Sequence, residues 1–377
     1  MNLSYWEIKS WLTNIDYTIV GSGIVGLNCA LQLKIRFPKA KILILEKGIL
    51  PQGASTKNAG FACFGSLSEI LDDLKSHSKE EVIQLLEKRV NGLNLLRETL
   101  GDKIINYENN GGYELFINGD NTLFETCLSQ LESINKMLKP IFNIAVFSLK
   151  DNSFHFKNIK AQYIFNPFEG QLDTGKMMEA LLQKTQAKGV KILNNITVES
   201  FSEVTGSVKI KTNLFEFSSS KLFIATNGFA SQLLKENVKP ARAQVLITKP
   251  IKNLHIKGTF HLDKGYYYFR NIDDRILLGG GRNLDFKGEE TTELNQTELI
   301  QNKLEALLKK TILPETSFEI DYRWSGIMGI GSRELSGQKS AIVKQVSNYV
   351  FCGVRLGGMG VAIGSLIGKE LAELIPA

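Results

Sequence analysis

Tyr17-Thr18-Ile19-Val20-Gly21-Ser22-Gly23-Ile24-Val25-Gly26 decides how this chain begins to fold. Four apolar or β-branched residues run into glycines at positions 21, 23 and 26. After them Leu27, Ala30, Leu31 and Leu33 recur at helical spacing until Pro38 closes the pattern. Lys41-Ile42-Leu43-Ile44-Leu45-Glu46 then reads as a second strand, apolar enough to be buried on both faces of a parallel sheet. The unit is βαβ. Gly21 suits a tight turn, Gly23 lets the backbone approach a pyrophosphate, and Gly26 allows close helix–strand packing. The helix N-terminus at Ser22 and Ile24 favours negative charge. Glu46, with Lys47 beside it, ends the second strand where a carboxylate accepts from ribose hydroxyls. The pattern predicts an adenine-dinucleotide site.

Working outward, Ser78 and Glu81 form a capping box before an apolar helical stripe that stops at Gly101, and a second helix reads from about Thr122 to Leu138. Asp173 caps a helix ending near Gly189. The stretch from Ala243 to Gly280 is strand-rich, and Thr292–Thr311 reads as a helix before Pro314. No internal repeat interrupts this order.

Composition removes several function classes. At 377 residues, 43% hydrophobic and 22% charged, the chain can bury a large core of about two domains. The net charge of +6 comes from lysines scattered among 39 acids, without the basic runs of a nucleic-acid binder, so no nucleic-acid partner is expected. Val350–Gly368 contains Arg355 and several glycines and fails as a transmembrane helix, and Met1–Trp11 does not read as a signal peptide. Cys29, Cys63, Cys127 and Cys352 stand far apart, and His77, His155, His255 and His261 show no ligand spacing. This reading expects reduced thiols, a cytoplasmic setting and no metal.

Beyond Glu46 comes Gly53-Ala54-Ser55-Thr56-Lys57-Asn58-Ala59-Gly60-Phe61, small and polar. Such a loop suits a flavin dinucleotide, whose ribityl arm must pass close backbone. The stretch resembles the flavin loop of the D-amino-acid oxidase/glycine oxidase superfamily of FAD-dependent oxidoreductases. Further likenesses follow in order: Gly170–Asp173, Ile196-Thr197-Val198, Phe223–Gly228, Pro240–Val245, Tyr266–Gly281, Trp324-Ser325-Gly326 and Gly353–Val361. Tyr322-Arg323-Trp324-Ser325-Gly326 followed by Ser332-Arg333 looks most like the gamma-glutamylputrescine oxidase branch.

The resemblance implies a Rossmann-like α/β fold (α+β overall), with a discontinuous FAD domain at 1–80, 168–238 and 321–377. An antiparallel-sheet substrate domain covered by helices takes 81–167 and 239–320. FAD contacts are expected at Gly21, Ser22, Gly23, Ile24, Gly26, Glu46, Lys47, Ser55, Thr56, Asn58, Ala59 and Gly60. Later contacts are expected at Val198, Thr226, Asn227, Gly228, Gly357, Gly358, Met359, Gly360 and Val361. The expected activity is oxidation of an amine or amino acid by hydride transfer to flavin N5, with oxygen or an electron carrier as acceptor. A 2-hydroxy-acid dehydrogenase is the alternative on the same fold, and a transfer-RNA-modifying oxidase domain a more distant one.

By strand period Tyr266, Tyr268 and Arg270 share one face and suit a substrate carboxylate or amide, with Arg333 and Arg355 as further candidates. Met328 stands where glycine oxidases carry a carboxylate-binding arginine, and Gly358 where they carry a second. No cysteine lies where sarcosine oxidase-type enzymes attach their flavin, so the FAD is expected to be non-covalent.

Overall fold

A computed structural model describes residues 2–119, 121–331 and 340–376. The early strands are β1 (Ile15–Val20), β2 (Ile42–Leu45), β3 (Phe61–Ala62), β4 (Gly112–Leu115), β5 (Ser148–Asp151) and β6 (Gln162–Asn166). The middle of the chain adds β7 (Gly170–Gln171), β8 (Lys191–Leu193), β9 (Val198–Val204), β10 (Ser207–Thr212) and β11 (Glu216–Ile224). Next come β12 (Lys239–Thr248), β13 (Thr259–Leu262), β14 (Tyr267–Ile272) and β15 (Arg275–Gly280). The last are β16 (Ile320–Ile330), β17 (Ile342–Gln345) and β18 (Val350–Val354). The α-helices begin with α1 (Tyr5–Glu7), α2 (Ile24–Arg36), α3 (Ala54–Lys57), α4 (Leu67–Asp73) and α5 (Lys79–Leu100). They end with α6 (Asn121–Phe142), α7 (Thr174–Ala187), α8 (Glu298–Leu307) and α9 (Gly360–Glu373).

Two large sheets carry the molecule. In the first, β11-β1-β2-β8 run parallel, β18 joins parallel to β11, and β17, β10 and β9 add antiparallel strands. All four residues of β2 are buried, as a strand covered on both faces must be. One face packs Leu27, Leu31 and Leu33 of α2 with Met177 and Leu181 of α7 and Ile367 and Leu371 of α9. Each such aliphatic, fully buried, contributes about 1.5–3 kcal/mol before entropy is counted. The chain leaves β1 toward β2 on one side while β11 lies on the other. The crevice outside the carboxyl ends of β1 and β11 is therefore a topological switch point.

The second sheet has the order β16-β12-β15-β14-β13-β4-β6-β5, antiparallel except where β13 meets β4. Its far face is closed by α8, whose Ile300 and Leu304 pack on Leu246, Phe269 and Leu278. One boundary moves. Residues 321–330, expected in the dinucleotide domain, form most of β16, which is paired with β12 from Lys239↔Ile330 to Thr248↔Ile320. The predicted helix 292–311 also shortens to an α-helix from Glu298, continued by a π-turn over Leu308–Ile312. Gln244 explains the late start: its side chain accepts from the Thr297 N–H and donates to the Thr297 hydroxyl, both at 2.9 Å.

Candidate functional site

The three glycines sit as the βα turn requires. Gly21 has φ +103, a conformation an L side chain rarely adopts, and a Cβ on Gly26 would lie 2.0 Å from the Gly21 carbonyl oxygen. Gly23 caps α2 in extended conformation, and the Ile24 N–H donates to Ser55 Oγ at 2.9 Å. A hydroxyl oxygen thus stands at the helix N-terminus that favours an anion. Glu46 is buried at the end of β2. Its Oε2 accepts from the Ser22 amide at 3.0 Å and hydroxyl at 2.7 Å, and its Oε1 from the Gly48 amide at 3.0 Å. Lys47 beside it is exposed, while Val198 is buried at the start of β9.

The loop after β2 is a self-bonded cradle. Thr56 turns its hydroxyl to the carbonyls of Pro51 and Gly53. Asn58 donates to Ser55 O and accepts from the Gly60 amide and the Thr174 hydroxyl. Gly60, at φ +70, passes so close to Leu172 that a Cβ would lie 2.3 Å from its carbonyl oxygen.

On the opposite rim Asn227, at φ 43, accepts from the Arg355 and Leu356 amides at 3.1 and 3.2 Å. Gly228 lies under Met328, and the Gly357 amide donates to the Gly329 carbonyl at 2.9 Å. β11, β16 and the C-terminal loop therefore meet at one point. Beyond it α9 opens with Met359 as its uncapped N-cap, with Gly360 and Val361 in its first turn. A Cβ built on Gly53, Gly357 or Gly358 would meet nothing within 4 Å. Thr226 has a buried hydroxyl without a partner among the described residues. Open glycines, an orphaned hydroxyl and two helix N-termini fit a long, doubly anionic ligand.

Strand register defines the substrate side. Met328, Gly326 and Trp324 pair with Ala241, Ala243 and Val245; Gly279 lies between Val245 and Tyr268; His261 lies between Tyr268 and Glu114. These residues share the face that meets the loop, where Ala59, Val245, Leu277, Phe61, Tyr268 and Trp324 form a small apolar cluster. Trp324 Nε1 donates to the Lys57 carbonyl at 3.0 Å. Tyr268 is half-buried, its hydroxyl has no hydrogen-bond partner among the described residues, and burial pushes its pKa up to about 12, so it remains a donor.

Tyr266 precedes β14 instead of sharing the Tyr268 face, and its ring packs edge-on against Phe286 at 5.8 Å. The Arg270 side chain is on the expected face but is fully engaged, donating to the main-chain carbonyls of Ala59, Leu172 and Asn271. Burial lowers its pKa to about 10, leaving it cationic at neutral pH. Arg355 is buried with φ 66 and donates to the carbonyls of Ser340 and Asn237. Arg333 lies outside the described residues.

One constellation escaped the sequence reading. His261 Nε2 lies 3.0 Å from Glu169 Oε2, its Nδ1 lies 4.0 Å from Glu69, and the Cys63 thiol is adjacent. Burial opposes the imidazolium, but Glu169 and the other carboxylates raise its pKa to about 9. Glu169 is held below the usual carboxylate range, because the His261 charge and amide hydrogen bonds outweigh its burial. Glu114, hydrogen-bonded to Ser68, is pushed by burial up to about 7. The only advance signal was an acidic residue and a histidine inside strands, where such side chains are uncommon.

The nucleotide crevice, the cradle loop and the second sheet facing it define a flavin-dependent oxidoreductase. The family model "DAO: FAD dependent oxidoreductase" matches residues 16–374. The chain belongs to this family, and FAD is its cofactor. It is 24% identical over 306 residues to the bifunctional protein ThiO/ThiG of Synechocystis, covering 76% of this chain. The matched region spans only 42% of that relative's length. Among solved structures it resembles L-proline dehydrogenase from P. horikoshii and glycine oxidase from Geobacillus kaustophilus. Each has TM-score 0.73 at 18% identity and covers 96% of this chain, and they are matched over 93% and 94% of their own lengths. The likeness to the gamma-glutamylputrescine oxidase branch is not carried by these comparisons. Among the described residues no helix is long and apolar enough to cross a membrane.

Proposed function

We propose that this chain oxidises the C–N bond of a small amine or amino acid between the cradle loop and the Tyr268–Trp324 face of the second sheet. The observation that carries this reading is that face itself. It combines apolar walls (Phe61, Trp324, Met328) with one unpartnered phenol and carries no carboxylate-binding guanidinium left free among the described residues. Glycine oxidase and iminodiacetate oxidase stand among the similar folds, which supports an amine substrate.

Bound FAD supplies the hydride acceptor. Gly21, Gly23 and Gly26 let backbone approach the pyrophosphate, with the first turn of α2 facing its charge. Glu46 meets the ribose, and the buried start of β9 at Val198 packs toward the adenosine end. The uncapped first turn of α9, preceded by Gly357 and Gly358, presents amides to the electron-rich edge of the ring system. No side chain has to remove a proton if the amine arrives neutral. Tyr268 orients the substrate through its hydroxyl, and Phe61 and Trp324 keep water out. Arg270 acts at one remove by fixing Ala59 and Leu172, and so the loop against which the substrate lies.

The cofactor is held without a covalent bond in this reading, and the wide spacing of the four cysteines along the sequence supports a reducing, cytoplasmic setting. Oxygen or an electron carrier would serve as the final electron acceptor. Turnover with amines, amino acids and 2-hydroxy acids, followed by carbonyl product and hydrogen peroxide, tests the reading. Carbonyl product from an amine supports it. Peroxide separates oxygen from a carrier as acceptor. Turnover of hydroxy acids alone contradicts it.

A further inference from the structure

We infer that Cys63, Glu169 and His261 form a binding site for one divalent zinc-class metal ion beside the flavin loop. One donor atom from each of the three buried residues lies within 4.8 Å of the other two. They come from segments 63, 169 and 261, so no local spacing announces them. β3 pairs with β7 through Phe61↔Gln171 and Ala62↔Gly170, which sets Cys63 against Glu169, and β13 brings His261.

Four features fit a metal better than ordinary packing. Cys29, Cys127 and Cys352 each belong to an apolar cluster, whereas Cys63 belongs to none among the described residues. Glu169 is aimed: its Oε1 accepts from the Phe64 and Gly65 amides at 3.3 and 3.4 Å. Its Oε2 occupies space beside Gly112, where a Cβ would lie 2.0 Å from it. Finally, Glu69 faces the far ring nitrogen of His261, the place of the carboxylate that orients a metal-bound imidazole.

Thiolate, imidazole and carboxylate together suit Zn2+ and disfavour Mg2+ or Ca2+, which take oxygen ligands. Three protein ligands leave a fourth position for water. Loading one Zn2+ releases the thiol proton and the proton held between His261 and Glu169. The ion's two charges then balance one thiolate and one carboxylate around a neutral imidazole. The ion clips β3 and β7, which flank the cradle, to the second sheet. Phe61, edge-on to both His261 and Tyr268 at 5.4 and 5.5 Å, stands between this site and the substrate face.

The test is metal analysis of the FAD-loaded protein expressed with added Zn2+ and exchanged into metal-free buffer. One equivalent per chain is expected, with an X-ray absorption shell of one sulfur at about 2.3 Å and nitrogen or oxygen at about 2.0–2.2 Å. Cys63→Ser and His261→Gln should each lose at least nine-tenths of the metal, while Cys29→Ser keeps it. Less than one-tenth of an equivalent in the wild-type protein, or a shell without sulfur, overturns the assignment. So does full metal retention in folded Cys63→Ser. The wild-type measurements decide the matter even where a variant fails to fold.

Discussion

Arg270 donates through a terminal guanidinium nitrogen to the carbonyl of Leu172 at 2.9 Å, tying a strand of the second sheet to the segment that opens α7. Its Nε bonds the carbonyl of Ala59 in the cradle loop. A residue that reads in sequence as a substrate clamp is thus a brace between the two halves of the site. Arg270→Ala is predicted to cost about 2–4 kcal/mol, because buried carbonyls lose charged donors. The protein should melt lower and lose FAD more readily. The Michaelis constant of the fraction still loaded should stay within twofold of wild type. A Michaelis constant raised a hundredfold at full flavin content would return Arg270 to the substrate.

Glu46→Ala should weaken FAD binding by about 1–3 kcal/mol, the usual loss when hydrogen bonds to a charged group disappear. The same carboxylate holds the Ser22 and Gly48 amides, so the apoprotein should also melt lower. Ser22→Ala separates the effects, since it removes one bond to Glu46 and leaves the carboxylate in place. Equilibrium FAD titration of the three proteins checks this. Unchanged affinity in Glu46→Ala would place the ribose elsewhere.

Tyr268→Phe should lower kcat/KM by roughly tenfold, one neutral hydrogen bond's worth of about 1.4 kcal/mol, with flavin content unchanged. Gly279→Ala should act through the same ring, because its Cβ would lie 2.6 Å from Tyr268. Steady-state kinetics on both variants with quantified flavin decide whether the phenol touches substrate. Full activity in both would remove Tyr268 from the site.

Acid precipitation should leave intact FAD in the supernatant and none on the polypeptide. Flavin that stays with the denatured chain would show a covalent link.

The dinucleotide end was legible because its determinants are local. Gly21 to Glu46 spans one strand–helix–strand unit; Gly26 answers to the Gly21 carbonyl within it and Gly23 to Ser55 just beyond it, while Gly21 also lies against Ala225 after the distant β11. Caps at Ser78 and Asp173 were legible for the same reason. Non-local pairing hid the rest. β16 joins the second sheet only because β12 offers it an edge. Residues 292–297 stay out of α8 because Gln244, from another strand, holds Thr297. Tyr266 leaves the Tyr268 face because the strand starts one residue later than the alternation suggests. Cys63, Glu169 and His261 meet only through the β3–β7 pairing and the approach of β13.

Anaerobic addition of amines, amino acids and 2-hydroxy acids to the FAD-loaded protein, followed by absorbance, tests the central claim most directly. The account predicts that at least one amine or amino acid bleaches the bound flavin stoichiometrically while 2-hydroxy acids leave it oxidised. Bleaching by hydroxy acids alone, or by none of the compounds, would contradict it.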